Sequence, residues 1–249
     1  MQWERIKNNQ SKIIPLSGIY IFVHTATFFV YELLSLNLEL SSGNFPNDIL
    51  LSLVDVVREL VLCAILGGLQ SIVFARLGVI LEFPIWRCKD DKEALSRFFL
   101  LWFGINAGLI TINRVANILA EKGISDLAFL LGGVGLIANI IYLPLTVCWM
   151  YSGEKLSEDD SFLRVFRPIT RQWGETLGMW AILSISLFVA LFILGLPLFQ
   201  ESSIFTVVIK TIIIIPLAGI DIFVFCWTWL LCIQCRIQGL DEDVSLDDF

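Results

Sequence analysis

The sequence predicts an all-α fold: one bundle of six transmembrane helices with both termini in the cytoplasm. The composition, 57% hydrophobic and 16% charged with a mean hydropathy of +0.79, is too apolar for a soluble domain of 249 residues. Six continuous apolar stretches each have about the 20 residues that a helix needs to cross a hydrocarbon core about 30 Å thick. A transmembrane β-barrel would instead show segments of about ten residues that alternate between apolar and polar.

The predicted spans must be helices, because lipid offers no partner for an unsatisfied backbone N–H or C=O group. They cover Ile13–Ser35, Val61–Leu81, Phe98–Leu119, Leu127–Met150, Thr176–Phe199 and Ile204–Cys232. Residues 1–239 are therefore predicted to form a single transmembrane domain. Residues 240–249, which include five acidic side chains, are predicted to form a cytoplasmic tail.

The first stretch needs to be distinguished from a cleaved export signal, since Arg5, Lys7 and Lys12 precede it. The apolar region of a signal is shorter and ends at small residues, whereas this one runs for 23 residues, from Ile13 to Ser35, without an A-x-A-like site. It is predicted to be a retained first span.

The second stretch is longer than a bilayer requires. From Asn47 to Leu81 it fits either one helix of 35 residues or two helices that break near Glu59. Its first part places Asp55, Arg58 and Glu59 on one helical face and is expected to lie at the outer membrane surface.

Glycine motifs in the third and fourth spans predict close approach between helices. Gly104-x-x-x-Gly108 and Gly132-Gly133-x-Gly135 are typical of tightly packed membrane helices. The glycine run of the fourth span is not a phosphate-binding loop, because no strand precedes it and no Lys-Ser/Thr pair follows.

Orientation follows from the distribution of the basic residues. Twelve of the 17 lie in the N-terminus, the second-to-third connection, the fourth-to-fifth connection and the C-terminus, while the opposite side holds Lys122 alone. The positive-inside rule then places both termini in the cytoplasm, in a bacterial inner membrane or an equivalent one. All eight tryptophans also fall toward the predicted inner ends of the spans, where amphipathic rings favour the headgroup region. The layout is similar to that of six-helix bacterial inner-membrane proteins, a likeness of plan that implies no activity.

Each predicted span carries a polar residue near its midpoint, and together these residues are a candidate mid-membrane polar layer. Polar groups at this depth are costly unless they face the bundle interior and find partners. His24 and Asp221 are the expected pair, and Pro216 and Gly219 predict an interruption of the sixth span just before Asp221. The layer comprises His24, Gln70, Asn106, Asn139, Ser186 and Asp221.

A second candidate site is a cluster of charged side chains toward the outer leaflet. Arg114, placed deep in the third span, should reach the same level as the first part of the second stretch and the outer end of the first span. The cluster is predicted to contain Glu32, Asp55, Arg58, Glu59 and Arg114. It is interpreted either as a set of ion pairs that fix helix packing or as the entrance to a substrate path.

No catalytic residue, cofactor or metal site is predicted. A single histidine excludes H-E-x-x-H, and no G-x-S-x-G elbow is present. Asp90-Asp91 resembles part of the magnesium-binding motifs of membrane prenyl transferases, but the second aspartate-rich motif is missing, so a helix start is preferred. Cys232-x-x-Cys235 lacks the second ligand pair of a zinc site and is interpreted as two ordinary thiols.

The sequence predicts the lipid bilayer as a partner of this chain. The net charge of −7 argues against nucleic acid. We expect an integral membrane protein without catalytic machinery, acting as a structural, assembly or interaction subunit with other membrane proteins or as a homo-oligomer. The alternatives are a transporter or permease component with a polar path around His24 and Asp221, and a lipid-active enzyme of unrecognised type.

Overall fold

The computed structural model describes residues 2–41, 48–81, 90–152, 166–194 and 203–244, and within these residues it contains helices and no strand. The all-α prediction is confirmed. The helices are α1 (Gln2–Asn8), α2 (Gln10–Ser41), α3 (Asp48–Ile80), α4 (Asp91–Glu121), α5 (Ser125–Ser152), α6 (Arg167–Arg171), α7 (Trp173–Leu194) and α8 (Ile204–Val244).

Six of these helices are long and apolar enough to cross a membrane, as predicted. The qualifying segments are Gln10–Leu38, Leu53–Ile80, Asp91–Glu121, Ser125–Tyr151, Trp173–Ala190 and Ile204–Cys235. The fifth was predicted to reach Phe199, and its last five residues lie outside the described part of the chain. The protein is therefore a multi-pass membrane protein by the length and composition of its helices.

Two expectations about helix continuity are decided by the structure. The second stretch forms the single helix α3, which passes through Glu59 without a break. The predicted interruption of the sixth span was wrong, because α8 runs without a break through Pro216 and Gly219. Proline removes one backbone donor, but the surrounding helix keeps its path, as it also does at Pro15 in α2 and Pro144 in α5.

Local sequence signals define both ends of α4. Asp90 is the N-cap, and its side chain accepts a hydrogen bond of 2.9 Å from the backbone N–H of Glu93. At the other end the N–H of Gly123 bonds the carbonyl of Ala120, and the N–H of Ile124 bonds that of Leu119. This Schellman pattern needs a residue in the left-handed region, which Gly123 supplies with φ of 75°. The aspartate pair therefore begins a helix, as preferred from the sequence.

The five helices α2, α3, α4, α5 and α8 form a closed ring. Helices that follow one another from α2 to α5 pack as neighbours, and α8 completes the ring between α5 and α2 while also touching α3. The remaining span, α7, packs on the outside against α5 and α8, and the short α6 lies against α7 and α8. Because α8 contacts most other helices, its polar residues have the largest choice of partners.

Stacked aromatic rings form the centre of the bundle. The Phe74 ring of α3 stacks on Phe225 of α8 with 4.6 Å between centroids, and Phe225 stacks in turn on Trp229. Trp102 of α4 packs edge-on against Phe74. Trp102 and Trp229 are fully buried, so these two rings pack within the core of the bundle.

Candidate functional site

The carboxylate of Asp221 in α8 is bonded by a tyrosine. The hydroxyl of Tyr20 in α2 donates a hydrogen bond of 3.1 Å to Asp221 Oδ2. Tyr20 is fully buried, whereas Asp221 is partly buried. A second phenol, that of Tyr142 in α5, lies close enough to interact electrostatically with Asp221. The acid is therefore bonded by a neutral donor, and no positively charged side chain pairs with it in the part of the chain that the structure describes.

A neutral pair lies beside this acid, between α3 and α4. The amide Nδ2 of Asn106 donates to Gln70 Oε1 at 2.7 Å and to the backbone carbonyl of Trp102 at 2.9 Å. Gln70 is buried, and its side chain lies near the Tyr20 hydroxyl. Asn106, Gln70, Tyr20 and Asp221 thus form one network across α4, α3, α2 and α8.

His24 is next to this network but is not bonded to Asp221. Its ring meets the Tyr20 ring edge-on, with 5.4 Å between centroids, and its buried Nδ1 has no hydrogen-bond partner among the described residues. The structure therefore differs from the expected direct pairing of His24 with Asp221. Tyr20, one helical turn before His24, takes that place, because its longer side chain reaches across to α8.

The other two members of the predicted layer lie apart from the network. The amide of Asn139 donates to the carbonyl of Gly135 one turn earlier in α5, at 2.8 Å, and so is satisfied within its own helix. Ser186 is half-buried on α7, the span outside the ring. The structure thus brings together Gln70, Asn106 and Asp221 with His24 adjacent, and it separates Asn139 and Ser186 from them.

The charged residues predicted near the outer leaflet form separate ion pairs, one within α3 and the others between helices. Arg114 of α4 bonds Glu59 of α3, with 2.7 Å between Nη1 and Oε2. Arg58 contacts Asp55 at 3.2 Å within α3, and its guanidinium also lies over the Tyr31 ring, 4.4 Å from the centroid.

Glu32 of α2 completes this set by bonding Lys210 of α8, with 2.9 Å between Nζ and Oε2. Three acids thus meet three bases, and Tyr31 lies within electrostatic range of Glu32, Arg58 and Glu59. Each charge has an opposite charge at contact distance, which matches the packing interpretation of the cluster.

Sequence reasoning missed three residues of these sites: Tyr20, Tyr31 and Lys210. A signal existed for Lys210, which lies six residues into α8 and therefore at nearly the depth of Arg114, seven residues before the end of α4. The tyrosines had no such signal, because the ring of a tyrosine packs as an apolar group and the sequence does not show which partner its hydroxyl reaches.

The arrangement offers hydrogen bonds and ion pairs between its helices. Within the described residues no group of three or more His, Cys, Asp or Glu side chains is placed to hold a metal ion. The partly buried acid with its tyrosine and the adjacent histidine are the groups that can exchange a proton. No protein-family model matches the chain, and neither a curated protein nor a solved structure matches it significantly.

Proposed function

We propose that this chain is a non-catalytic integral membrane protein that acts as a structural, assembly or interaction subunit. Its interior supports this role, because several of the polar side chains there bond one another between helices. Asn106 bonds Gln70, Tyr20 bonds Asp221, and the outer charges form ion pairs. Such matching stabilises one arrangement of helices, with each interhelical hydrogen bond worth about 0.6 kcal/mol in a membrane bundle.

One exposed face of α4 also supports an interaction role, because its residues have the pattern of a helix–helix contact. Leu100, Gly104, Gly108, Thr111 and Val115 follow the spacing of one helical face, and all are exposed. A Cβ atom added at Gly104 or Gly108 would meet nothing within 4 Å.

Other glycines of the chain, unlike Gly104 and Gly108, already lie in close contacts between helices. A Cβ at Gly67 would come within 2.9 Å of the Phe103 backbone nitrogen. The Gly104–Gly108 face thus has the small-xxx-small pattern of close helix packing without using it internally. The occupant that we propose is the same face of a second copy, because a two-fold dimer places identical patches against each other.

The test is self-association of the full chain in nanodiscs or mild detergent, measured by light scattering and by cross-linking in native membranes. We expect the wild type to dimerise, and the double variant Gly104→Leu/Gly108→Leu to dimerise at least tenfold more weakly. Gly18→Leu is the matched control, because Gly18 is equally open but lies on α2. A monomeric wild type in membranes, or equal weakening by Gly18→Leu, would contradict the proposed contact.

Transport is the second candidate, and the surroundings of Asp221 favour it. Among the described residues this partly buried acid has no cationic partner and is bonded by Tyr20. The Tyr20 ring contacts His24, whose buried Nδ1 has no hydrogen-bond partner among the same residues. A proton or a small polar solute could move along these groups, as ionisable residues inside membranes commonly allow.

Proton-coupled flux into liposomes tests the transport alternative. Asp221→Asn and His24→Ala should abolish flux at unchanged expression, and Tyr20→Phe should lower it by removing only the hydroxyl. Ser186→Ala, on the outer helix α7, should have no effect. Equal flux in the wild type, Asp221→Asn and His24→Ala would eliminate the transport role.

A further inference from the structure

Three thiols meet where α5, α6 and α8 come together. Cys148 of α5 and Cys232 of α8 have their sulfur atoms 3.6 Å apart, and both residues are almost completely buried, at 0% and 1% exposure. Cys235, one turn further along α8, interacts electrostatically with both. With Ile169 of α6, Cys148 and Cys232 form a small apolar cluster separate from the main core.

We propose that Cys148 and Cys232 form a thiol–disulfide exchange site whose substrate is a low-molecular-weight disulfide of the glutathione type. The two sulfurs belong to different helices and are already at contact distance. A disulfide has a bond length of about 2.05 Å, so closing it requires an approach of about 1.5 Å, which rotation of the two side chains can supply. Two other buried thiols, Cys63 and Cys226, show that this bundle accommodates single cysteines without pairing them.

Cys235 gives this buried pair a route to an oxidant. It is the most exposed of the three thiols, at 9%, and Arg171 of α6 donates a hydrogen bond to it while Arg167 lies within electrostatic range. Burial disfavours the thiolate of Cys235, which is the attacking form in disulfide exchange, and the positive charges beside the sulfur offset part of that cost. Arg167 and Arg171 are themselves exposed and would attract an anionic disulfide such as that of glutathione.

The reaction balances in three exchange steps. The Cys235 thiolate attacks the external disulfide, forming a mixed disulfide and releasing one glutathione thiolate. The Cys148 thiolate then attacks the Cys235 sulfur and releases the second glutathione thiolate. The Cys232 thiolate finally attacks the Cys148 sulfur, which frees Cys235. Overall, two protein thiols lose two electrons and two protons, and one external disulfide is reduced to two thiols.

The test uses the purified full chain in nanodiscs, incubated with glutathione disulfide, after which free thiols are alkylated and peptides are mapped by mass spectrometry. We expect a Cys148–Cys232 cross-linked peptide, a mass loss of two hydrogen atoms, and reversal by dithiothreitol. The wild type suffices for this result, so no variant has to fold. Full alkylation of both cysteines after prolonged oxidation, or bonds that join only other cysteines, would overturn the site.

Single substitutions distinguish the role of the buried pair Cys148 and Cys232 from that of Cys235. Cys148→Ser should abolish the cross-link. Cys226→Ser, which replaces another buried thiol of α8, the helix of Cys232, should leave the rate of cross-linking unchanged. Cys235→Ser should slow cross-linking by glutathione disulfide at least tenfold. An unchanged rate in Cys235→Ser would overturn its role as the attacking thiol.

Discussion

Gly78 of α3 lies directly against Trp229 of α8, and its replacement by alanine probes the contact between these two helices. The added Cβ would stand 2.5 Å from Cζ2 and 2.9 Å from Cη2 of the indole. The ring has little room to retreat, because it is fully buried and stacked on Phe225 with 5.3 Å between centroids. Either α3 or α8 must therefore shift.

Two opposing contributions determine how Gly78→Ala changes the free energy of unfolding. Overpacking a filled core costs about 1–3 kcal/mol. Alanine recovers about 1 kcal/mol relative to glycine inside a helix. With the ring held on both sides the packing cost should lie in the upper part of its range, so we expect Gly78→Ala to lower the free energy of unfolding by about 1–2 kcal/mol.

Gly68→Ala is the matched control in the same helix. Its added Cβ would meet only Leu95 Cδ2, at 3.8 Å, which is ordinary contact with a flexible side chain. The propensity gain then dominates, and stability should stay equal or rise by up to about 1 kcal/mol. Both variants are measured by reversible unfolding in mixed detergent micelles. If Gly78→Ala proves as stable as Gly68→Ala, the packing of α3 on α8 described above is incorrect.

Three further outcomes are expected. Glu59→Gln should destabilise the bundle by about 2 kcal/mol in the same unfolding assay, because it leaves the partly buried Arg114 without its counter-charge, and adding Arg114→Met should restore part of the loss. Asp91→Asn should cost less than about 1 kcal/mol, because its bidentate partner Arg76 is 54% exposed, and a loss that does not shrink at high salt would contradict this solvent-screened picture. Single cysteines introduced at Gly43 and Gly123 should react with an impermeant maleimide from outside intact cells and one at Gly174 only after lysis; the reverse pattern would overturn the predicted orientation.

The sequence was sufficient for the helices because the length of an apolar stretch is a direct consequence of bilayer thickness. It also identified Glu59 and Arg114 as neighbours, since their distances from the predicted ends of their spans set a common depth. The depth of a residue in the membrane is only one of the coordinates that determine its neighbours. Which side chains meet at a given depth depends on the rotation of each helix about its axis, and a span that is apolar on every side gives little signal for that rotation.

The pairing of Asp221 illustrates this limit. His24 and Tyr20 lie on the same face of α2, one turn apart, so depth counting cannot decide which of them reaches α8. The structure assigns the hydrogen bond to Tyr20. The same limit hid the thiol pair, because Cys148 and Cys232 are 84 residues apart, and only the packing of α5 on α8 brings them together.

Position in the bundle also explains why the two polar sites differ in charge. The charged cluster that was predicted near the outer leaflet uses full ion pairs, and the side chains of its members Glu59 and Arg114 are 19% and 29% exposed. The inner network uses neutral amides and phenols around a single carboxylate, next to fully buried aromatic rings. In the bundle interior, the desolvation free energy of two full charges exceeds the free energy of their attraction. The desolvation cost of a hydrogen-bonded neutral donor and acceptor is small. Asp221 is the one carboxylate in this otherwise neutral network. If the network is structural, Asp221→Asn should leave folding nearly unchanged. The effect of the same substitution on flux is the measurement that separates the two candidate functions.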